Sequence, residues 1–323
     1  MIGYYIHHHG NGHLNRARAI TRHLSDPVVA LTSLDLQARE FSAVVRLQRD
    51  DNGSPDDVTA SGALHWAPRA DDGLRARMSQ IAEFVADRRP AAIVVDVSVE
   101  VAVFVRLMGV PVIVMAMPGD RGDPAHQLAY RVADAIIAPW PGDLSQPVWL
   151  HEHLTKTSFT GGISRHDGRR RRSSVSLASD VLVMSGSGGT RTAPGEVAEL
   201  ADEHPELTVR ALGAAFDNWV SDPWPYLCSA GIVVIDAGQG SVADTAAAGR
   251  PAVILPQDRP FAEQQATAAT LDRSGLARVS QRWPTPYEWR ELLTAAEDEP
   301  PWSRWHTLGA AQRAAAAIGA VAS

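Results

Sequence analysis

The residues best suited to chemistry lie in two glycine-rich stretches far apart in the chain. One reads His7-His8-His9-Gly10-Asn11-Gly12-His13-Leu14-Asn15-Arg16, the other Asp236-Ala237-Gly238-Gln239-Gly240-Ser241-Val242-Ala243-Asp244. Each places glycines between a strand-like run and a helix. Such a turn lets the backbone approach a ligand closely, and the helix start offers unbonded N–H groups with partial positive charge. In the second stretch Gly238, Gln239, Gly240 and the Ser241 hydroxyl converge on one anion-binding point of a size that suits a pyrophosphate. Asp244 either pairs with Ser241 in a capping box or accepts ribose hydroxyls. Gln264 and Gln265 open a later helix, and their amides suit sugar hydroxyls.

In the first stretch Gly10, Asn11 and Gly12 form the turn, and His13 stands where a neutral imidazole can take a proton from a hydroxyl or water. A capping or packing histidine is the competing reading. Asn15 occupies the place of the third glycine of a dinucleotide fingerprint, so NAD and FAD are not expected. His7, His8 and His9 on an extended chain point to alternating sides, which argues against a shared metal site. Asp96 ends the apolar run Ile93–Val95, at the strand edge where open α/β sheets place ligands, and is read as a second catalytic candidate or a helix cap. Asp120 and Arg121 form a further, weaker pair.

Positioning such groups requires a scaffold of alternating strands and helices, and the chain supplies it. Strands are predicted at 2–6, 28–31, 43–47, 92–95, 110–115 and 135–138, with helices at 14–24, 74–88 and 99–108. A second series follows, with strands at 181–184, 207–211, 232–235 and 252–255 and helices at 197–203, 242–248 and 263–273. Alternation of this kind belongs to parallel sheets covered by helices, and 323 residues with 45% hydrophobic content suffice for two cores. The polar stretch Arg165–Ser174, containing the basic run Arg169–Arg172, reads as an interdomain linker. The boundary is placed near 158, giving an acceptor domain of residues 1–158 and a donor domain of residues 159–323. Residues 52–72 read as a mobile loop and 302–323 as a closing helix.

The net charge of −7 argues against a nucleic-acid partner. The single cysteine, Cys228, excludes an internal disulfide and reads as a core residue. With no long apolar span and no leader-like start, a cytoplasmic protein is expected.

The block from Asp236 through Ala246-Ala247-Ala248-Gly249-Arg250-Pro251 to Gln264-Gln265 resembles the donor-binding region of glycosyltransferase family 28, typified by the peptidoglycan N-acetylglucosaminyltransferase MurG. Phe159–Arg165 resembles that family's entry to its second domain, and Ser185-Gly186-Ser187-Gly188-Gly189-Thr190 its other glycine loop. The resemblance implies the GT-B fold: α/β, with two Rossmann-like domains whose parallel sheets face across a cleft. It implies that Asp244 holds the ribose, Gly240 and Ser241 the phosphates, Arg165 the diphosphate, and Gln264 and Gln265 the donor sugar. It also implies metal-independent transfer of a sugar from a nucleotide-diphosphate sugar, UDP foremost, to an acceptor hydroxyl with inversion, and no cofactor; no Asp-x-Asp triplet is present to hold a metal-bound diphosphate. Gly10-Asn11-Gly12-His13-Leu14-Asn15-Arg16 is closer to the nucleotide-sugar hydrolase of pseudaminic acid synthesis, a relative of that family. A hydrolase or epimerase therefore stands as the alternative, the acceptor is left open, and so is peripheral membrane contact.

Overall fold

The computed structural model describes residues 1–51, 56–171, 180–186, 188–295 and 300–323. Ser187, residues 52–55 of the expected loop and residues 172–174 of the expected linker lie outside them.

The first sheet contains β1 (Ile2–Ile6), β2 (Val28–Thr32), β3 (Ala43–Arg46), β4 (Ala92–Asp96), β5 (Val112–Met115), β6 (Ala135–Ala138) and β7 (Thr157–Phe159), in the order β3-β2-β1-β4-β5-β6-β7. Its helices are α1 (Gly12–Thr21), α2 (Asp72–Arg88), α3 (Val99–Leu107) and α4 (Pro124–Val132). The second sheet runs β12-β11-β10-β8-β9, from β8 (Asp180–Met184), β9 (Thr208–Leu212), β10 (Ile232–Ile235), β11 (Ala252–Ile254) and β12 (Arg278–Val279). Around it lie α5 (Pro194–Glu203), α6 (Trp224–Ser229), α7 (Gln239–Ala248), α8 (Glu263–Arg273) and α9 (Pro286–Ala295), and the described chain closes on α10 (Ala310–Ala322). The paired strands are parallel in both sheets. Strands buried on both faces carry unbroken apolar runs: Ala92–Asp96 and Ile232–Ile235 are buried at every position.

Strand order reverses between β1 and β4 in the first sheet and between β8 and β10 in the second. Beyond the carboxyl ends of strands at such a reversal the flanking loops diverge and leave a crevice. The loops that follow these four strands carry Gly10–His13, Asp96, Ser185–Gly189 and Asp236–Gly240, so topology brings the candidate groups to two facing sheet edges.

Helix starts follow the side chains. Asp71 caps α2 by accepting from the Leu74 amide at 2.6 Å, and Ser98 caps α3 from the Val101 amide at 3.2 Å. The cap of α3 is thus Ser98, which leaves the Asp96 carboxylate for other partners. Between them Val97 holds φ at 69°, a left-handed conformation costly for a β-branched residue.

The closing helix, α10, crosses back to the first sheet. Ala310, Ala311, Ala314, Ala315 and Ile318 form one apolar face buried with Ile2, Tyr4 and Ile6 of β1 and Val94 of β4. Strand β7, which no sequence signal marked, extends the first sheet to Phe159. The described part of the polar stretch is bonded to the second half of the chain: Arg169 grips Asp222 through both nitrogens, at 2.8 and 3.0 Å, and Arg171 donates to the Ala247 carbonyl. No helix among the described residues is long and apolar enough to cross a membrane.

Candidate active site

Between the two sheet edges lies a cavity of about 260 Å³. Gly10, Asn11, Gly12 and His13 line it from the first half; Arg165, Ser185, Gly186, Gly188 and Gly189 from the entry and first loop of the second. Gly238, Gln239, Gly240, Ser241, Asp244 and Gln264 complete it. Gln265 is not among the lining residues. Its side-chain amide donates to the Gln257 carbonyl and to Asp258, both at 2.9 Å, and braces the loop before α8.

On the first wall Asp96 is fully buried and accepts from three directions. His13 Nδ1 lies 2.9 Å from Oδ1, Arg16 Nε donates to Oδ2 at 3.0 Å, and Arg16 Nη2 donates to Oδ1 at 2.5 Å. Burial pushes the carboxyl up, but Arg16 and His13 together hold it well below the usual carboxylate range. An ionised carboxylate only accepts, so the tautomer that bonds Asp96 carries its proton on Nδ1 and leaves the lone pair on Nε2; Arg16 Nη2, 3.1 Å from the same Nδ1, then donates to Asp96 and not to the ring. Arg16 was not singled out as a site residue. The signal for it was the spacing His13-x-x-Arg16, which puts both side chains on one face of α1.

On the opposite wall Gly238 starts α7 without a side-chain cap, and first-turn amides of a helix have no intrahelical acceptor. A Cβ built at Gly240 or at Gly12 would meet nothing within 4 Å, so no protein neighbour requires a glycine at either position and the space belongs to the cavity. Gln239 accepts from Arg16 Nη1 at 2.7 Å, joining the two walls, while its Nε2 is buried without a partner among the described residues. Ser185 Oγ is likewise buried and unpartnered. Gln264 Oε1 ties the Ala237 and Gln257 amides at 3.1 and 2.9 Å, which leaves its amide nitrogen near the glycine turn.

Asp244 forms no capping box with Ser241. It accepts from the Ser164 hydroxyl at 2.6 Å and from Arg165 Nε at 2.9 Å, with His166 Nε2 at 3.7 Å. The carboxylate therefore holds Arg165 beside the α7 turn. Three further residues line the cavity: Trp219, half exposed at the rim; Asp236, whose carboxyl burial pushes up; and Arg259, which donates to the Gly188 carbonyl at 2.7 Å.

The histidine run does not alternate as an extended chain would. Strand β1 ends at Ile6, the chain bends, and both His8 and His9 approach Asp51, at 3.1 and 3.7 Å, a carboxylate also paired with Arg49. A second group, His65, Asp123 and His126, gathers nearby through contacts of 2.9 and 2.5 Å.

No family model matches the chain, and no curated protein does. Solved structures do. The glycotransferase of kitacinnamycin superimposes with a TM-score of 0.74 at 18% identity, covering 99% of this chain and 98% of its own. MurG of Acinetobacter baumannii gives 0.65 at 16% identity and 99% of both chains. A spinosyn rhamnosyltransferase complexed with thymidine diphosphate gives 0.59 at 14% identity, covering 99% of this chain and 96% of its own. The chain has the GT-B fold of these glycosyltransferases.

Proposed function

We propose that the protein is a glycosyltransferase that moves a sugar from a pyrimidine nucleoside diphosphate to an acceptor hydroxyl, with inversion and without a metal. The observation that carries this reading is the facing of two devices across one cavity: an imidazole oriented by Asp96, and a glycine turn at a helix start with Arg165 beside it. His13 Nε2 takes the proton of the acceptor hydroxyl as its oxygen attacks the anomeric carbon. The bond from that carbon to the diphosphate oxygen breaks, and its electron pair leaves with the diphosphate. Amides of α7, Ser241 and Arg165 meet that growing charge. UDP is the carrier that the family resemblance implies; thymidine diphosphate, held by one structural relative, is the nearest competitor. Trp219 at the rim offers a face on which a pyrimidine stacks.

The test is calorimetry with UDP, thymidine diphosphate and GDP, followed by incubation with the matching nucleotide sugar. Saturable binding of a pyrimidine diphosphate, with sugar release dependent on added acceptor, supports transfer. Release to water at full rate without acceptor makes the protein a hydrolase instead, and absence of binding by all three nucleotides ends the proposal.

A further inference from the structure

A second cavity, of about 290 Å³, opens beside the first and shares His9 and Met117 with it. Its walls come from β1, the start of α2, the turn after β4, α4 and one loop of the second half. Apolar and aromatic groups dominate them: Leu74 and Met78 of α2, Met115 at the end of β5, Tyr130 of α4, Trp66, and Phe261. Phe261 reaches across from the second half. It holds φ at 61°, its carbonyl accepts from the Asp120 amide at 2.7 Å, and its ring packs on His65 and His126 and under the Arg121 guanidinium.

The charged groups in these walls are engaged with the protein. Arg77 pairs with Asp50 at 2.8 Å and donates to the Tyr5 hydroxyl, Ser33 and the Gln48 carbonyl. Glu100 accepts from the His65 and Trp66 amides at 2.8 and 2.9 Å and from Ser98. Arg121 lies between His126, the Pro118 carbonyl and Glu263, and Asp51 is held by Arg49. Among the described residues lining the cavity, an entering carboxylate meets no unpaired cation and an entering ammonium no unpaired carboxylate. Burial keeps two of the lining imidazoles neutral, pushing His7 down to about 3 and His126 to about 4. His7 Nδ1 accepts from the His9 amide, so its Nε2 carries the proton as a donor, and its ring lies edge-on to His13 at 5.9 Å.

We infer that this second cavity takes the acceptor, and that the acceptor is a small, uncharged, ring-bearing alcohol or phenol rather than a sugar, a phospholipid or a charged metabolite. This rests on the transferase reading above and names its second substrate class. The ring system lies among Trp66, Tyr130, Phe261 and the methionines, where burial of apolar area favours it and unpaired charge is penalised. The hydroxyl points to the junction at His9 and Met117, with His7 as donor to its oxygen and His13 as acceptor of its proton.

Calorimetry on the full chain tests this with 2-naphthol, with 6-hydroxy-2-naphthoate, which adds only a carboxylate, and with N-acetylglucosamine. Saturable binding of 2-naphthol is expected, with the naphthoate at least about tenfold weaker because its charge is buried unpaired. Ala129→Phe, which fills the cavity from α4, is expected to weaken naphthol by at least about tenfold while UDP binding is kept. Asp50→Asn leaves Arg77 short of its counter-charge and should narrow the naphthol-to-naphthoate gap by about threefold or more. Equal or tighter binding of the naphthoate or the acetamido sugar overturns the inference, as does naphthol binding unchanged by Ala129→Phe or a naphthol-to-naphthoate gap unchanged by Asp50→Asn. Because nucleotide binding is read separately, absence of binding by UDP, thymidine diphosphate and GDP counts against the transferase reading and leaves standing only that the cavity takes a neutral ring alcohol.

Discussion

Two buried carboxylates flank one cavity, Asp96 at the end of β4 behind the His13 wall and Asp244 in α7 on the other, and each holds an arginine. Asp96 is saturated by Arg16 and by the His13 ring, and Arg16 is itself nearly buried, with 7% of its side chain exposed. Asp244 is saturated by Ser164 and Arg165, whose side chain is 29% exposed. The first carboxylate thus sits in a closed network whose outlet is an imidazole lone pair. The second sits in an open one whose outlet is a positive charge facing the glycine turn. The same residue type serves a base on one side and charge stabilisation on the other, and the difference lies in how far its arginine reaches solvent.

Removing the outlet of the closed network should have the largest effect. His13→Ala is expected to lower kcat by about 10²- to 10⁴-fold, with the Kd for nucleotide unchanged, as steady-state kinetics beside calorimetry would show. Equal loss in kcat and nucleotide affinity would mean that His13 serves the donor, and the contrast between the walls would fail. Asp96→Asn comes next, read as stability: Arg16 stays buried without its counter-charge, which costs about 3–5 kcal/mol in urea unfolding. Asp244→Asn should cost no more than about 1 kcal/mol in the same assay, because Arg165 can turn to water. Its effect is expected in nucleotide affinity instead, weakened about tenfold as Arg165 loses its anchor. Similar stability losses for the two variants would show that the networks are not closed and open in the sense argued.

Much of this was legible in the chain because parallel strands buried on both faces announce themselves as apolar runs, and glycine turns before helices are equally plain. The runs at 92–95 and 232–235 match strands with little shift. Strand β7 was not legible: Thr157-Ser158-Phe159 is short and half-buried at the sheet edge, and its pairing with β6 depends on a neighbour distant in sequence. Helix α10 was visible as a helix, but its alanines say nothing of which sheet they cover. At the site, residue types marked His13 and the α7 turn, yet partners could not be read from spacing. Asp244 stands three residues after Ser241, the capping-box interval, and bonds instead to Ser164 and Arg165, brought alongside by the chain's passage between the halves. Arg16 was hidden for a related reason: its worth depends on Asp96, which ends β4, the strand paired with β1, but lies 80 residues further along the chain.

His166 gives the smallest and most selective way to sharpen the contrast. It is buried between Trp224 and Asp244, its Nδ1 meets Arg169 at 3.1 Å, and its Nε2 has no hydrogen-bond partner among the described residues. Burial pushes its pKa down to about 4, because the pull of Asp244 is opposed by Arg165 and Arg169. The unfolded chain then binds a proton near pH 6.5 that the folded chain refuses until about 4, so this contribution is fully present above 6.5 and is lost as pH falls toward 4. The slope it adds in that window is at most about 1.4 kcal/mol per pH unit. His7 and His126 tilt the curve in the same direction, so the total slope does not isolate it. The difference between the parent and His166→Phe does, since phenylalanine keeps the ring against Trp224 and cannot titrate. Unfolding measured between pH 4.5 and 6.5 should be flatter in the variant by about 1 kcal/mol per unit. An unchanged slope would mean that the imidazole already protonates beside Asp244, so that the open network carries an additional positive charge and its difference from the Asp96 side is larger than argued.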